Sequence, residues 1–189
     1  GELQRQYFSQ GRYDASITVN HVAKPRNRVA IEININEGDS ARIAAINLIG
    51  AKAFSQKELI SLFQLKKTHL TSFFKNDDKY AREKLMGDLE TLRSFYLDRG
   101  YINFTLNSHQ VTLSQDKKSV FIDISFTEGE KYQFGDVKIL GELPVAETEL
   151  RKLILFKKDM TYSQQLVTAS SKLIKQRLGT EGYLFSEIN

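Results

Sequence analysis

Apolar and polar residues along this chain switch between two periods, and the switches recur. Val120, Ile122, Ile124 and Phe126 fall on one phase, with Asp123 and Ser125 on the other. That period of two predicts a strand with one buried face. Val29, Ile31, Ile33 and Ile35 repeat the pattern near the start of the chain. Between Tyr80 and Asp98 the period lengthens: Leu85, Leu89, Leu92, Phe95 and Tyr96 form one stripe at helical spacing. Gly100 ends this helix, because glycine takes the left-handed conformation at low cost. Ala41–Ile49 predicts another strand. Ile102–Leu113 predicts one more, joined to Val120–Phe126 across the turn Ser-Gln-Asp-Lys-Lys-Ser. Ser55 with Glu58 has the spacing of a capping box, and Leu59, Ile60, Leu62 and Phe63 supply the apolar face of the helix it opens. Gln64 to Asp78 has no clear period. The order is β-α-α-β-β.

This grammar cycles. Glu37-Gly38 recurs as Glu128-Gly129, and Ile46–Gly50 (INLIG) recurs as Val137–Gly141 (VKILG), both at a spacing of 91. Gly1–Val19, Gly87–Leu106 and Ser171–Ile188 each run from a helical stretch through glycine and tyrosine into an extended segment, with Tyr13, Tyr101 and Tyr183 in matching places. Repetition at a fixed period marks stacked structural units. Residues 39–129 make one complete module. Residues 1–38 supply the rear of another, a helix and two strands, and residues 130–189 the front of a third. The first residues already lie in an amphipathic helix pattern, as in a piece excised from a longer protein. The fold class expected is α+β, with two helices over a three-stranded sheet in each module.

Charge and composition change this picture little. The net charge is +4, from scattered dyads such as Lys66-Lys67, Lys117-Lys118 and Lys157-Lys158, which read as solvated turns and helix ends rather than a phosphate-binding stripe. No apolar run exceeds four residues, too short to span a bilayer as a helix. The absence of cysteine decides nothing about compartment. His21, His69 and His109 are far apart and lack metal-ligand spacing. No nucleophile elbow, P-loop or dinucleotide fingerprint is present. Glu37 and Glu128 occupy equivalent places in successive modules, so they read as turn residues at strand ends rather than as an acid–base pair. For RNA binding, the strand aromatics Phe121 and Tyr132 are isolated, while Phe104 and Phe126 lie in the inward phase.

The tandem order, together with Tyr96–Tyr101 (YLDRGY), Phe126–Tyr132 (FTEGEKY), Val137–Gly141 and Phe54–Leu59 (FSQKEL), resembles POTRA domains. The first repeat departs from the pattern, since Gly11-Arg12-Tyr13 places its glycine one residue early. The resemblance implies a mixed sheet, with the first strand beside the last, and a periplasmic scaffold for outer-membrane protein assembly. Such a scaffold binds unfolded outer-membrane polypeptides and docks accessory lipoproteins, tasks that call for no catalysis, cofactor or metal. The membrane barrel that completes such proteins is absent from this chain. A POTRA array of a two-partner-secretion transporter is the alternative, and a basic nucleic-acid-binding module a more distant one.

Three features carry the functional expectations. Tyr13 to Val22 is nine residues, but Tyr101 to Leu113 is twelve, so the middle module holds three extra residues in the first strand of its hairpin. An odd insertion flips the inside-outside phase, from Phe104 and Leu106 to Val111 and Leu113. This predicts a bulge around Asn107, Ser108, His109 and Gln110, and bulges favour sheet edges. The stretch Asn103, Phe104, Thr105, Leu106, Asn107, Ser108, His109, Gln110 and Val111 is therefore the expected polypeptide-binding edge, by strand addition, the alternative being a bulge that only blunts the edge against aggregation. Phe73 and Phe74 form an apolar pair that either plugs the core or contacts a partner. Finally, edge strands or swapped half-modules offer a route to a homodimer.

Overall fold

A computed structural model describes residues 1–69, 72, 77–141 and 144–180. Phe73, Phe74 and Tyr183 lie outside the described residues. Two compact units form: Gly1–Leu92 with Leu106–Phe126, and Arg93–Thr105 with Thr127 onward. The division cuts across residues 39–129, because the long helix contributes to both units.

The first unit opens with helix α1 (Glu2–Ser9) and an antiparallel hairpin, β1 (Ser16–Lys24) and β2 (Arg28–Asn36). Its register runs from Ser16 opposite Asn36 to Lys24 opposite Arg28. Pro25, Arg26 and Asn27 make the turn, with Arg26 and Asn27 both at positive φ. Ile17, Val19, His21 and Ala23 face Ile35, Ile33, Ile31 and Val29 across the pair, giving one apolar face with a histidine in it.

A second sheet has the order β3-β5-β4, from β3 (Arg42–Ile49), β4 (Thr105–Leu113) and β5 (Ser119–Thr127). β5 is central and runs parallel to β3, with Ile43 beside Val120, Ile46 beside Ile122 and Leu48 beside Ile124. The sheet is thus mixed, with the first strand beside the last. Val120, Ile122, Ile124 and Phe126 are buried, as are Leu59 of α2 (Gln56–Ser61) and Leu85, Leu89 and Leu92 of α3 (Arg82–Leu97). Ser55 caps α2 as its spacing predicts, its side chain accepting the Glu58 N–H at 3.2 Å. The pairing of β3 with β5 shifts register between Ile43 and Ala45.

In the second unit Tyr96 is the largest fully buried side chain. Phe104 stacks on it at 4.7 Å and Tyr101 meets its edge at 5.5 Å. Helices α4 (Glu147–Lys152) and α5 (Gln164–Thr180) follow. Phe134 stacks on Phe156 at 3.9 Å. Val137–Leu140, the counterpart of β3, is not a strand, and Leu140 is 85% exposed. The strand expected there is not formed, and among the described residues no strand pairs with Val137–Leu140.

Candidate polypeptide-binding edge

Among the described residues β4 pairs with β5 alone and forms one edge of the three-stranded sheet. From Thr105 to Leu113 it reads TLNSHQVTL, with no charged residue and no proline. Edge strands that avoid association carry lysine, proline or an inward charge; this one carries none. Leu106, Asn107, Ser108, His109 and Gln110 are exposed, while Val111 and Leu113 are half-buried.

The structure separates two of the expected residues from the rest. Asn103 and Phe104 precede the strand, in the turn that follows Gly100. Phe104 is buried against Tyr96, and its N–H bonds to the Tyr101 carbonyl at 3.1 Å. Asn103 donates to the Tyr132 hydroxyl at 3.1 Å. Aromatic packing, invisible to a period-two count, draws Phe104 inward, and the strand begins at Thr105. The even phase is therefore buried at Phe104 but exposed at Leu106, and the odd phase turns inward by Val111. Strand assignment is unbroken from Thr105 to Leu113.

The opposite edge is covered at its start. The Ile43 N–H donates to the Asp78 carbonyl at 2.8 Å, the Thr68 N–H to the Ile43 carbonyl at 3.0 Å, and the Tyr80 N–H to the Ala41 carbonyl at 3.2 Å. A fully buried carboxylate holds this cover in place. Asp78 accepts two bonds from one Arg42 guanidinium nitrogen at 2.9 and 2.7 Å, and a third from the Thr68 hydroxyl at 2.9 Å. Removing the arginine would leave a fully buried carboxylate short of its donors, which costs more than losing a surface ion pair. The Arg42–Asp78–Thr68 cluster was missed in the sequence, because it joins residues from a strand and an aperiodic loop.

Glu37 and Glu128 do more than end strands. Glu128 is buried and accepts the Tyr96 hydroxyl at 2.7 Å. Glu37 accepts the Tyr7 hydroxyl at 3.3 Å in an exposed setting. In each repeat the glutamate ties the hairpin's end to the preceding helix. The repeated Glu-Gly was the available signal, but its tyrosine partner lies thirty or so residues upstream.

One side-chain cluster contains a serine, a histidine and an aspartate. The Ser72 hydroxyl accepts the His69 backbone N–H at 3.1 Å, and the His69 Nε2 lies 3.3 Å from Asp77. Burial pushes the Asp77 carboxyl up, but hydrogen bonds from Ser72 and His69 outweigh it and hold its pKa below the usual value. A hydrolase triad needs the imidazole between serine and carboxylate. Here Asp77 lies between, and Ser72 is fully buried. Among the described residues no group of three metal-ligating side chains occurs, and no helix is long and apolar enough to cross a membrane.

Comparison with known proteins agrees with this architecture. The POTRA family, described as "Surface antigen variable number repeat", matches residues 41–129 and 132–189. The chain is 31% identical over 188 residues to the outer membrane protein assembly factor BamA of Neisseria meningitidis serogroup B, covering 99% of this chain and 24% of that protein. It is also 31% identical over 182 residues to BamA of Buchnera aphidicola, covering 96% of this chain and 30% of that protein. This chain thus spans less than a third of the length of either relative. The crystal structure of Haemophilus influenzae BamA POTRA3-5 superposes with a TM-score of 0.56 at 21% identity, covering 94% of this chain and 66% of that one. Together with the helix-over-sheet module, its parallel β3–β5 pairing and its repeated Glu-Gly tie, these matches show that the chain belongs to the POTRA family.

Proposed function

We propose that this chain is part of a periplasmic scaffold in outer-membrane protein assembly and that it binds unfolded β-barrel polypeptides by strand addition at β4. The observation that supports this reading is the asymmetry of the sheet edges. The start of β3 is covered by its own loop and locked by Arg42 and Asp78, while β4 is a nine-residue edge without charge or proline. Main-chain bonding to such an edge gives affinity with little sequence preference, which suits a carrier of many different chains. The similarity to BamA proteins, whose name describes outer membrane protein assembly, supports the compartment and the cargo class. In the same reading accessory lipoproteins dock on other surfaces of the module, and residues 39–129 act as one repeat.

The test is photo-crosslinking of an outer-membrane strand peptide to β4. Thr105→Pro removes one backbone donor at the open end of the edge, and Asn107→Lys adds the charge that blunts edges. Both variants are expected to keep their circular dichroism spectrum and lose most of the crosslinked peptide. Unchanged capture by the two folded variants removes β4 from the mechanism.

A further inference from the structure

The single ionisable side chain of β4 sits where an added strand would cover it. From Thr105 to Leu113 that residue is His109, at the centre of the strand. Successive side chains of a strand point to opposite faces, so His109 shares a face with Asn107, Val111 and Leu113. Val111 and Leu113 are half-buried, whereas His109 is exposed. The other face carries Ser108, Gln110 and Thr112, all polar and all exposed.

No carboxylate compensates a charge at this place. β5, the strand paired with β4, has one charged residue, Asp123, and its carboxylate accepts the Asn47 side-chain amide at 2.7 Å. In the helix layer Asp88 is buried and accepts the Gln64 and Leu65 N–H groups. The other charged side chains of α2 and α3 in the same unit are Lys57, Glu58, Arg82, Glu83, Lys84 and Glu90. Among the described residues none of these forms an ion pair with His109. An imidazolium in water is well solvated. Beside an apolar side chain of an adjacent strand it loses that water and gains no counterion, whereas a neutral imidazole is covered at far smaller cost.

We infer that His109 selects what β4 binds: uncharged, it admits a strand that sets an apolar residue beside it, and protonated, it turns that strand away. The inference rests on the strand-addition reading of β4 and names its substrate class. The strand that fits is amphipathic. It is apolar on the face of His109, Val111 and Leu113 and polar on the face of Ser108, Gln110 and Thr112. Alternation of this kind is the pattern of membrane-barrel strands, and a uniformly apolar or highly charged segment matches only one face or neither. Histidine is the side chain whose ordinary charge change falls between about pH 5 and 8. Capture displaces the proton, so affinity is full above this window and falls as the pH drops through it.

Fluorescence anisotropy tests this with a labelled, end-capped peptide of about ten residues, the length of a barrel strand, alternating apolar residues with threonine and glutamine. Such a peptide has no group that titrates. Wild-type affinity at about pH 8 should exceed that at about pH 5.5 roughly tenfold, the loss expected for one displaced proton in the histidine range. His109→Gln should bind at both pH values as the wild type does at the higher one, and His109→Lys should bind weakly at both. Circular dichroism at each pH confirms that the chains compared are folded. His21 and His69 remain in all three chains, so a pH dependence that persists in His109→Gln belongs elsewhere and overturns the inference. Equal wild-type affinity at the two pH values also overturns it and leaves strand addition standing. No binding by the folded wild type at either pH removes the strand-addition reading and the role of His109 together.

Discussion

Val29, Ile31, Ile33 and Ile35 on β2 are 47–62% exposed, while Val120, Ile122, Ile124 and Phe126 on β5 are 3% exposed or less. The two sets have the same pattern and the same spacing, and both lie on the second strand of a hairpin. Only the surroundings differ: β5 pairs with β3 and is buried in a core that includes Leu59, Leu85, Leu89 and Leu92, whereas β2 pairs with β1 alone among the described residues. An apolar period of two therefore specifies which face is ready for burial. It does not specify that the face is buried.

The sharpest way to break this comparison is to truncate matching residues. Ile124→Ala should destabilise the chain by about 2–5 kcal/mol in urea unfolding. Ile33→Ala, its exposed counterpart, should stay within about 0.5 kcal/mol. A loss below about 1 kcal/mol for Ile124→Ala would mean the core face is wrongly assigned.

Glycines sharpen the same contrast. Gly50 and Gly141, 91 residues apart, sit at φ of 112° and 113°. A Cβ at Gly50 would collide with the Phe126 carbonyl, whereas at Gly141 it would meet nothing within 4 Å. Gly50→Ala should therefore cost about 3 kcal/mol, from backbone strain and the displaced strand together, and Gly141→Ala only the strain of about 1–2 kcal/mol. Equal losses, read by thermal unfolding, would show that the β5 carbonyl is not the obstacle.

The tyrosine–glutamate ties should follow the same order. Tyr96→Phe leaves a buried carboxylate oxygen without its 2.7 Å donor, at a cost of about 1–3 kcal/mol. Tyr7→Phe, at an exposed 3.3 Å contact, should be nearly silent. A chemical denaturation series on the two variants checks the ranking.

The smallest effect is a pH dependence. Asp88 on α3 is fully buried and accepts the Gln64 and Leu65 N–H groups at 2.6 and 3.0 Å. In α5 the counterpart is Ser170, which accepts the Leu155 N–H at 2.9 Å and cannot ionise in this range. Burial raises the Asp88 carboxyl above its usual value, against the opposing pull of those two N–H groups and of Lys66. Folded chains therefore take up this proton at a higher pH than unfolded ones. Its contribution to stability is present below the unfolded carboxylate value and is lost as pH rises through the raised one. Stability relative to Asp88→Asn should increase as pH falls from neutrality, and a flat difference would contradict the assignment.

Local signals in the sequence were sufficient for the elements of residues 39–129 and their order, though not for a strand at Val137–Leu140. The cap at Ser55, the stripe from Leu85 to Tyr96, the stop at Gly100 and the alternation through Phe126 depend on neighbours a few residues away, and backbone sterics act at that range. The candidate edge strand was legible in part. The phase change across Leu106–Val111 marked an unusual strand, but its start at Thr105 was set by Phe104 stacking on Tyr96.

What only the tertiary structure decided lies at long range. Arg42 and Asp78 are 36 residues apart, and Tyr96 and Glu128 are 32 apart. A hydrogen bond between groups so separated leaves no periodic trace, since either residue alone looks like a solvated polar position. The fate of each apolar face is also tertiary. Burial depends on what packs against a strand, so the same four-residue pattern is buried at β5 and exposed at β2 among the described residues.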